Sequence, residues 1–190
     1  RSKCGAVTHD TASIGGLVTM APIVISERLR GTSLEIVQTI CHKHLQLTHP
    51  DDYLAKVCSD YVGLLDALLF RLEADSAQEI IATWAKRSIR MAMPELLSKV
   101  HSDNDVVGRL FSSACYITDS WPSVLYLAYK YGEKPKAGLL ANANLGGDNV
   151  HRGTVLGAIL GLATNNIPHE LYDGLLDKDL IEDEIAVLLN

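Results

Sequence analysis

Apolar residues recur at helical spacing along nearly all of this chain, and alternation of period two is almost absent. That pattern constrains the fold more than any other feature. Ser33 reads as an N-cap, followed by Ile36, Val37, Ile40, Cys41 and Leu45 on one side of a helix. Asp51 and Asp52 open an apolar run that reaches Leu72, as acids suit the positive end of a helix. Ile80, Ile81, Trp84 and Ile89 repeat the pattern between Ala77 and Met93. From Ala12 to Leu29 the chain reads as a buried helix that Pro22 bends or divides in two. Ser120-Trp121-Pro122 reads as another helix opening, with proline in the first turn. Val155 to Ala163 is apolar nearly all round and is expected at the centre. Val100 to Gly108 is the best candidate for a long exposed loop. The expectation is one all-α domain over residues 1–190, with about eight helices.

Composition excludes several classes of function. A net charge of −6 with no Lys/Arg run argues against a nucleic-acid footprint. No apolar stretch approaches the roughly 18–20 residues of a membrane span, and the polar start "RSKCGAVTHD" lacks the apolar core of a signal peptide. Cys4, Cys41, Cys58 and Cys115 are widely spaced and form no Cys-x-x-Cys pair. They read as buried thiols in a reducing, cytoplasmic setting.

The stretch "NANLGGDNVHRGTVLGAILG", Asn142 to Gly161, concentrates the polar chemistry. Gly146 and Gly147 permit a tight turn or close approach to a ligand. Asp148 and Asn149 suit the start of the helix that follows. Its N-terminal N–H groups favour phosphate, and Asp148 offers the hard oxygen that Mg²⁺ prefers. The alternative is plain: Asp148 caps a helix and Arg152 makes a surface ion pair. Gly153, Gly157 and Gly161 share one face and read as close helix packing. His42 and His44, two apart on a helix, do not share a face and make a poor metal pair. His49-Pro50 reads as a loop before a helix start, and Trp84 and Trp121 as core.

"NLGGDNVHRGTVLGAILGLA" resembles the C-terminal signature of the ADP-ribosylglycohydrolases, in a branch with Gly-Gly-Asp-Asn-x-His-Arg-Gly. "FSSACYITDSWPSVLYLAYKY", from Phe111, and "VTHDTASIGG", from Val7, are similar to the same branch. The resemblance implies an all-α bundle and a hydrolase that removes ADP-ribose from modified proteins or small molecules at the anomeric carbon. It implies that Asp148 is the catalytic and metal-binding acid, and that His9 contacts ADP-ribose. Gly146, Gly147, Asn149, His151 and Arg152 are the remaining candidate ligand contacts. In the commoner pattern further acids complete a magnesium pair. Here the second acid's place falls on Val150 and that of the threonine after it on His151, so at most one Mg²⁺ is expected. The family's Thr/Ser-Asp-Asp motif is missing, because Thr118-Asp119-Ser120 stands in the wrong order. The chain therefore reads as the C-terminal part of such an enzyme, with an N-terminal half on another chain as a candidate partner. A non-catalytic ADP-ribose-binding relative and a crystallin-like structural relative are the alternatives.

Overall fold

The computed structural model describes residues 12–189. Among them the fold is all helical, with eleven α-helices, one 3₁₀ turn and no strand. The expected single helix from Ala12 is divided in two, as Pro22 allowed. A 3₁₀ turn spans Ile14–Leu17, and α1 spans Met20–Leu29. Pro22 is the third residue of α1, where a missing N–H breaks no helical bond. Helix α2 covers Leu34–Thr48 behind Ser33, and α3 covers Asp52–Leu69. Asp51 caps α3 by accepting the Leu54 N–H at 2.8 Å.

Helix α4 spans Ala77–Ile89 and stops where Arg90 turns left-handed at φ 55°. The pattern that runs on to Met93 in the sequence thus belongs to two elements. Pro94 helps open α5, Met93–Lys99. The next segment corrects an expectation. Val100 to Gly108 is not one long exposed loop: it contains α6, Asp103–Val106, and buries Val106 and Val107. Asp105 reaches back to accept the N–H groups of His101 and Ser102, the acid half of a capping box. A polar stretch of Ser, Asp and Asn concealed that box.

Helix α7, Ile117–Tyr131, starts three residues before the expected Ser120, so Pro122 lies inside it. The chain forgoes the N–H that would bond Thr118 and gains a buried ring. Helices α8, Pro135–Asn144, and α9, Asn149–Thr164, follow. The short α10, His169–Tyr172, and α11, Lys178–Leu189, complete the described chain and bury no residue.

The core lies where α3, α7 and α9 meet, flanked by α1, α2, α4 and α8. Trp121 is fully buried, packs edge-on against Tyr61 and donates its indole N–H to Ser88. Val155, Leu156, Ile159, Leu160 and Ala163 of α9 are buried, which bears out the expected central position. The small-residue stripe on α9 holds only in part. A Cβ on Gly153 would lie 2.8 Å from Asn142 and one on Gly157 would lie 3.7 Å from Leu139, but Gly161 faces open space. None of the described helices is long and apolar enough to cross a membrane.

Helix α3 approaches α4 closely at Gly63, where a Cβ would come within 2.2 Å of the Trp84 ring. Gly63→Ala is expected to destabilise the fold by about 1–3 kcal/mol through overpacking, which urea unfolding measures.

Asp103 ties α6 to α7. Its carboxylate accepts from Tyr126 Oη at 2.8 Å, Tyr131 Oη at 2.7 Å and Lys130 Nζ at 2.6 Å. Burial alone would raise its pKa, but these donors outweigh it and hold it below the usual value. A depressed carboxylate stabilises the fold above its unfolded pKa, near 3.9, and loses that contribution as pH falls through the lower folded value. Asp103→Asn is expected to lower the melting temperature at pH 7, with the gap from the parent chain closing as pH falls below about 4.

Candidate functional site

Two left-handed glycines shape the loop between α8 and α9: Gly146 at φ 65° and Gly147 at φ 63°. A Cβ on Gly147 would sit 2.1 Å from the Ser113 carbonyl oxygen, so the close approach made here is to the protein's own backbone. Asp148 N–H then donates to that same oxygen at 2.9 Å. Gly146 has nothing within 4 Å of the Cβ position and faces open space.

Arg152 locks this loop from beneath. The side chain is 0% exposed. Its Nε donates to Asn142 Oδ1 at 2.6 Å and its Nη2 to the Gly146 carbonyl at 2.9 Å. Longer bonds of 3.3 Å run to the carbonyls of Ser113 and Asn142. Burial lowers the pKa of this guanidinium, and the charge of Asp148 opposes that shift. The surface ion pair is corrected: every guanidinium nitrogen faces an internal oxygen. Asn149 is tied back to α8, with Nδ2 donating to Ala143 O at 3.0 Å while its own carbonyl accepts from Asn142.

Asp148 and His151 face the other way. Asp148 holds the N-cap position of α9, but its side chain makes no capping bond. Its carboxylate instead faces His151 Nδ1, at 2.9 Å from Oδ1 and 3.0 Å from Oδ2. His151 is half exposed. Val150, where the commoner pattern has an acid, is 71% exposed.

A distant segment meets them. Residues 12–14 pair with the start of α7: Ile14 N–H donates to Cys115 O and Ile117 N–H to Ala12 O, both at 2.9 Å. The 3₁₀ turn that follows packs on α2, α3, α7 and α9. Around the Cβ position of its Gly15 gather Ser13 Oγ at 3.3 Å, His49 Nε2 at 3.6 Å and His151 Cε1 at 3.9 Å. Gly16 packs tighter still, against Leu45, His49 and Leu54. His9, the fourth residue before Ser13, lies outside the described residues.

His49 is the residue that sequence reasoning missed. It ends α2 and shares a hydrogen bond with Thr48 Oγ1 through Nδ1. Burial, with a smaller contribution from His151, lowers its pKa. Its place in the loop before α3 gave no local signal of this contact. Asp119 stands nearby in the hydrogen-bond scheme: it accepts the Ser112 N–H at 3.1 Å, next to the Ser113 that anchors Asp148. His42 and His44 have separate partners, Ala55 and Ser59 for one and Thr19 for the other.

These donors do not fit a magnesium pair. Mg²⁺ asks for an octahedron of hard oxygens, yet the one signature carboxylate is engaged by an imidazole. Among the described residues no three His, Cys, Asp or Glu side chains are placed together to hold an ion.

Arg152→Lys is expected to cost about 1–3 kcal/mol, because an ammonium cannot serve the separated oxygens of Asn142, Ser113 and Gly146 together. Urea unfolding tests this, and Asp148→Ala, which removes no buried bond to the loop, should cost less.

Comparison with known proteins agrees with this architecture. No curated protein and no solved structure matches the chain. A family model described as ADP-ribosylglycohydrolase matches residues 1–190. The chain, all-α and carrying Gly-Gly-Asp on the open end of a central helix, belongs to the ADP-ribosylglycohydrolase family.

Proposed function

We propose that this chain serves the hydrolytic removal of ADP-ribose from modified proteins or small molecules, in the reducing setting of the cytoplasm. The family membership supports a hydrolase, and the open end of α9 supports the substrate class. The observation that carries the reading is that Asp148 sits at the N-cap yet leaves the first N–H groups of α9 uncapped by its side chain. Unpaired N–H groups and the helix dipole suit a diphosphate. A carboxylate beside them suits the positive charge that develops at the anomeric carbon as the glycosidic bond opens. Asp148 is the catalytic acid of this reading. His151 and the open backbone at Gly146 are its ribose or phosphate contacts, and His9 completes the ADP-ribose contacts by its place in the motif.

A second reading, binding without turnover, draws on Val150, whose apolar side chain projects where commoner members carry an acid. One assay separates the two: release of ADP-ribose from a modified peptide, alongside calorimetric binding of free ADP-ribose. The 190-residue chain alone is expected to bind ADP-ribose weakly and to release little. Release should rise on addition of a second chain bearing the Thr/Ser-Asp-Asp motif and fall again with Asp148→Ala. Binding without release in both mixtures would favour the second reading. Absence of ADP-ribose binding in both would sink both.

A further inference from the structure

Two described residues other than glycine have a positive φ, Arg90 and Asn165. Asparagine is a residue that tolerates this region, but arginine is not. Arg90 stands at φ 55° and ψ 31° just past the end of α4, where glycine would sit freely. A long cation kept there against the preference of the backbone points to a use for its side chain. That side chain has no hydrogen bond, ion pair or ring contact among the described residues, and neither has the ammonium of Lys56 on α3. Both line one cavity of about 340 Å³, built from α3, the end of α4 and the start of α7. Tyr53 and Phe111 add two rings to it. Ser88 and Thr118 line it as well, but their hydroxyls already donate to Asp60 and Asp119. Its free donors are therefore the two cations, and no carboxylate lines it. In a chain of net charge −6 that is unusual, and the cavities at Glu170, at Asp75 and at Asp51 all carry acids.

We propose that this cavity docks an acidic segment of the protein from which ADP-ribose is removed. A carboxylate side chain of that segment pairs with Lys56 and Arg90, and its apolar neighbours pack on Tyr53 and Phe111. Charge complementarity selects this occupant, since a guanidinium and an ammonium with no competing acid suit a carboxylate. The rings offer apolar area that a bare inorganic anion would leave unused. The location fits too. Phe111 and Thr118 bound the segment whose Ser113 carbonyl accepts the Asp148 N–H, so the cavity and the Asp148 face are built on one stretch of chain. The proposal rests on the hydrolase reading only for the origin of the acidic segment. Peptide binding and ADP-ribose release are measured separately and fail separately.

The test uses the 190-residue chain and a short fluorescein-labelled peptide rich in glutamate with one tyrosine. Its glutamine counterpart serves as control, and binding is read by fluorescence anisotropy. Saturable binding of the glutamate peptide is expected, weakened by added salt, with the glutamine peptide bound at least about fivefold more weakly. Lys56→Ala and Arg90→Gly should each weaken binding about fivefold. Arg90→Gly also relieves the left-handed backbone, so its melting temperature should not fall, which separates a lost contact from a damaged fold. Lys43→Ala, an exposed cation on α2, should leave affinity as it was. Excess ADP-ribose should not displace the peptide. Equal binding of the two peptides, binding that survives both the Lys56 and Arg90 variants, displacement by ADP-ribose, or no saturable binding by the folded chain would overturn the proposal. If the Lys56 variant does not fold, Arg90→Gly and Arg90→Gln decide.

Discussion

The buried guanidinium of Arg152 holds together what the site depends on. Four oxygens from three chain segments converge on it: the side chain and carbonyl of Asn142, and the carbonyls of Ser113 and Gly146. An isolated charge in such surroundings is costly unless its hydrogen bonds are met. Here each nitrogen has an oxygen, and the planar fork matches oxygens that a single ammonium could not reach together. The same contacts explain Gly147. With a side chain there, the loop could not approach Ser113, and Arg152 would lose an acceptor.

Helical spacing then divides the work among neighbours. Residues three apart share a face, and adjacent residues do not. Asn149 and Arg152 form one such pair and bind back to α8 and the loop. Asp148 and His151 form the other and turn outward, where they bind each other. Four polar residues that look like one cluster in the sequence are therefore two clusters with separate duties. One sets the shape of the helix start, and the other presents a carboxylate and an imidazole on it.

This division explains what could be read from the residues alone. The all-α fold, the central α9 and the helix starts near Ser33 and Asp51 followed from spacing and capping, which are local. Asp148 was legible because a motif names it. The burial of Arg152 was not legible because it depends on Ser113 and Asn142, which lie ten or more positions away. Helix α6 was missed because its stability comes from Asp103 bonding to α7 and from two buried valines, beneath a surface of polar residues. His49 was missed for a related reason. Nothing at Leu47-Thr48-His49-Pro50 shows that α2 ends against Gly16, which only the packing of the 3₁₀ turn decides.

That packing couples the candidate site to the core more tightly than a surface site requires. Gly16 meets Leu45 and Leu54, both fully buried or nearly so, while its neighbour Gly15 faces the two imidazoles. One 3₁₀ turn thus has a core side and a site side, and α2, α3, α7 and α9 all bear on it. Side chains in a close-packed interior shift little without cost, so the rings of His49 and His151 inherit the rigidity of Leu45, Leu54 and the α9 stripe. A functional constellation must be held to within about half an ångström. A chain that gathers side chains from residues 13, 49 and 151 around one turn keeps them there only by seating them on elements the core has already fixed.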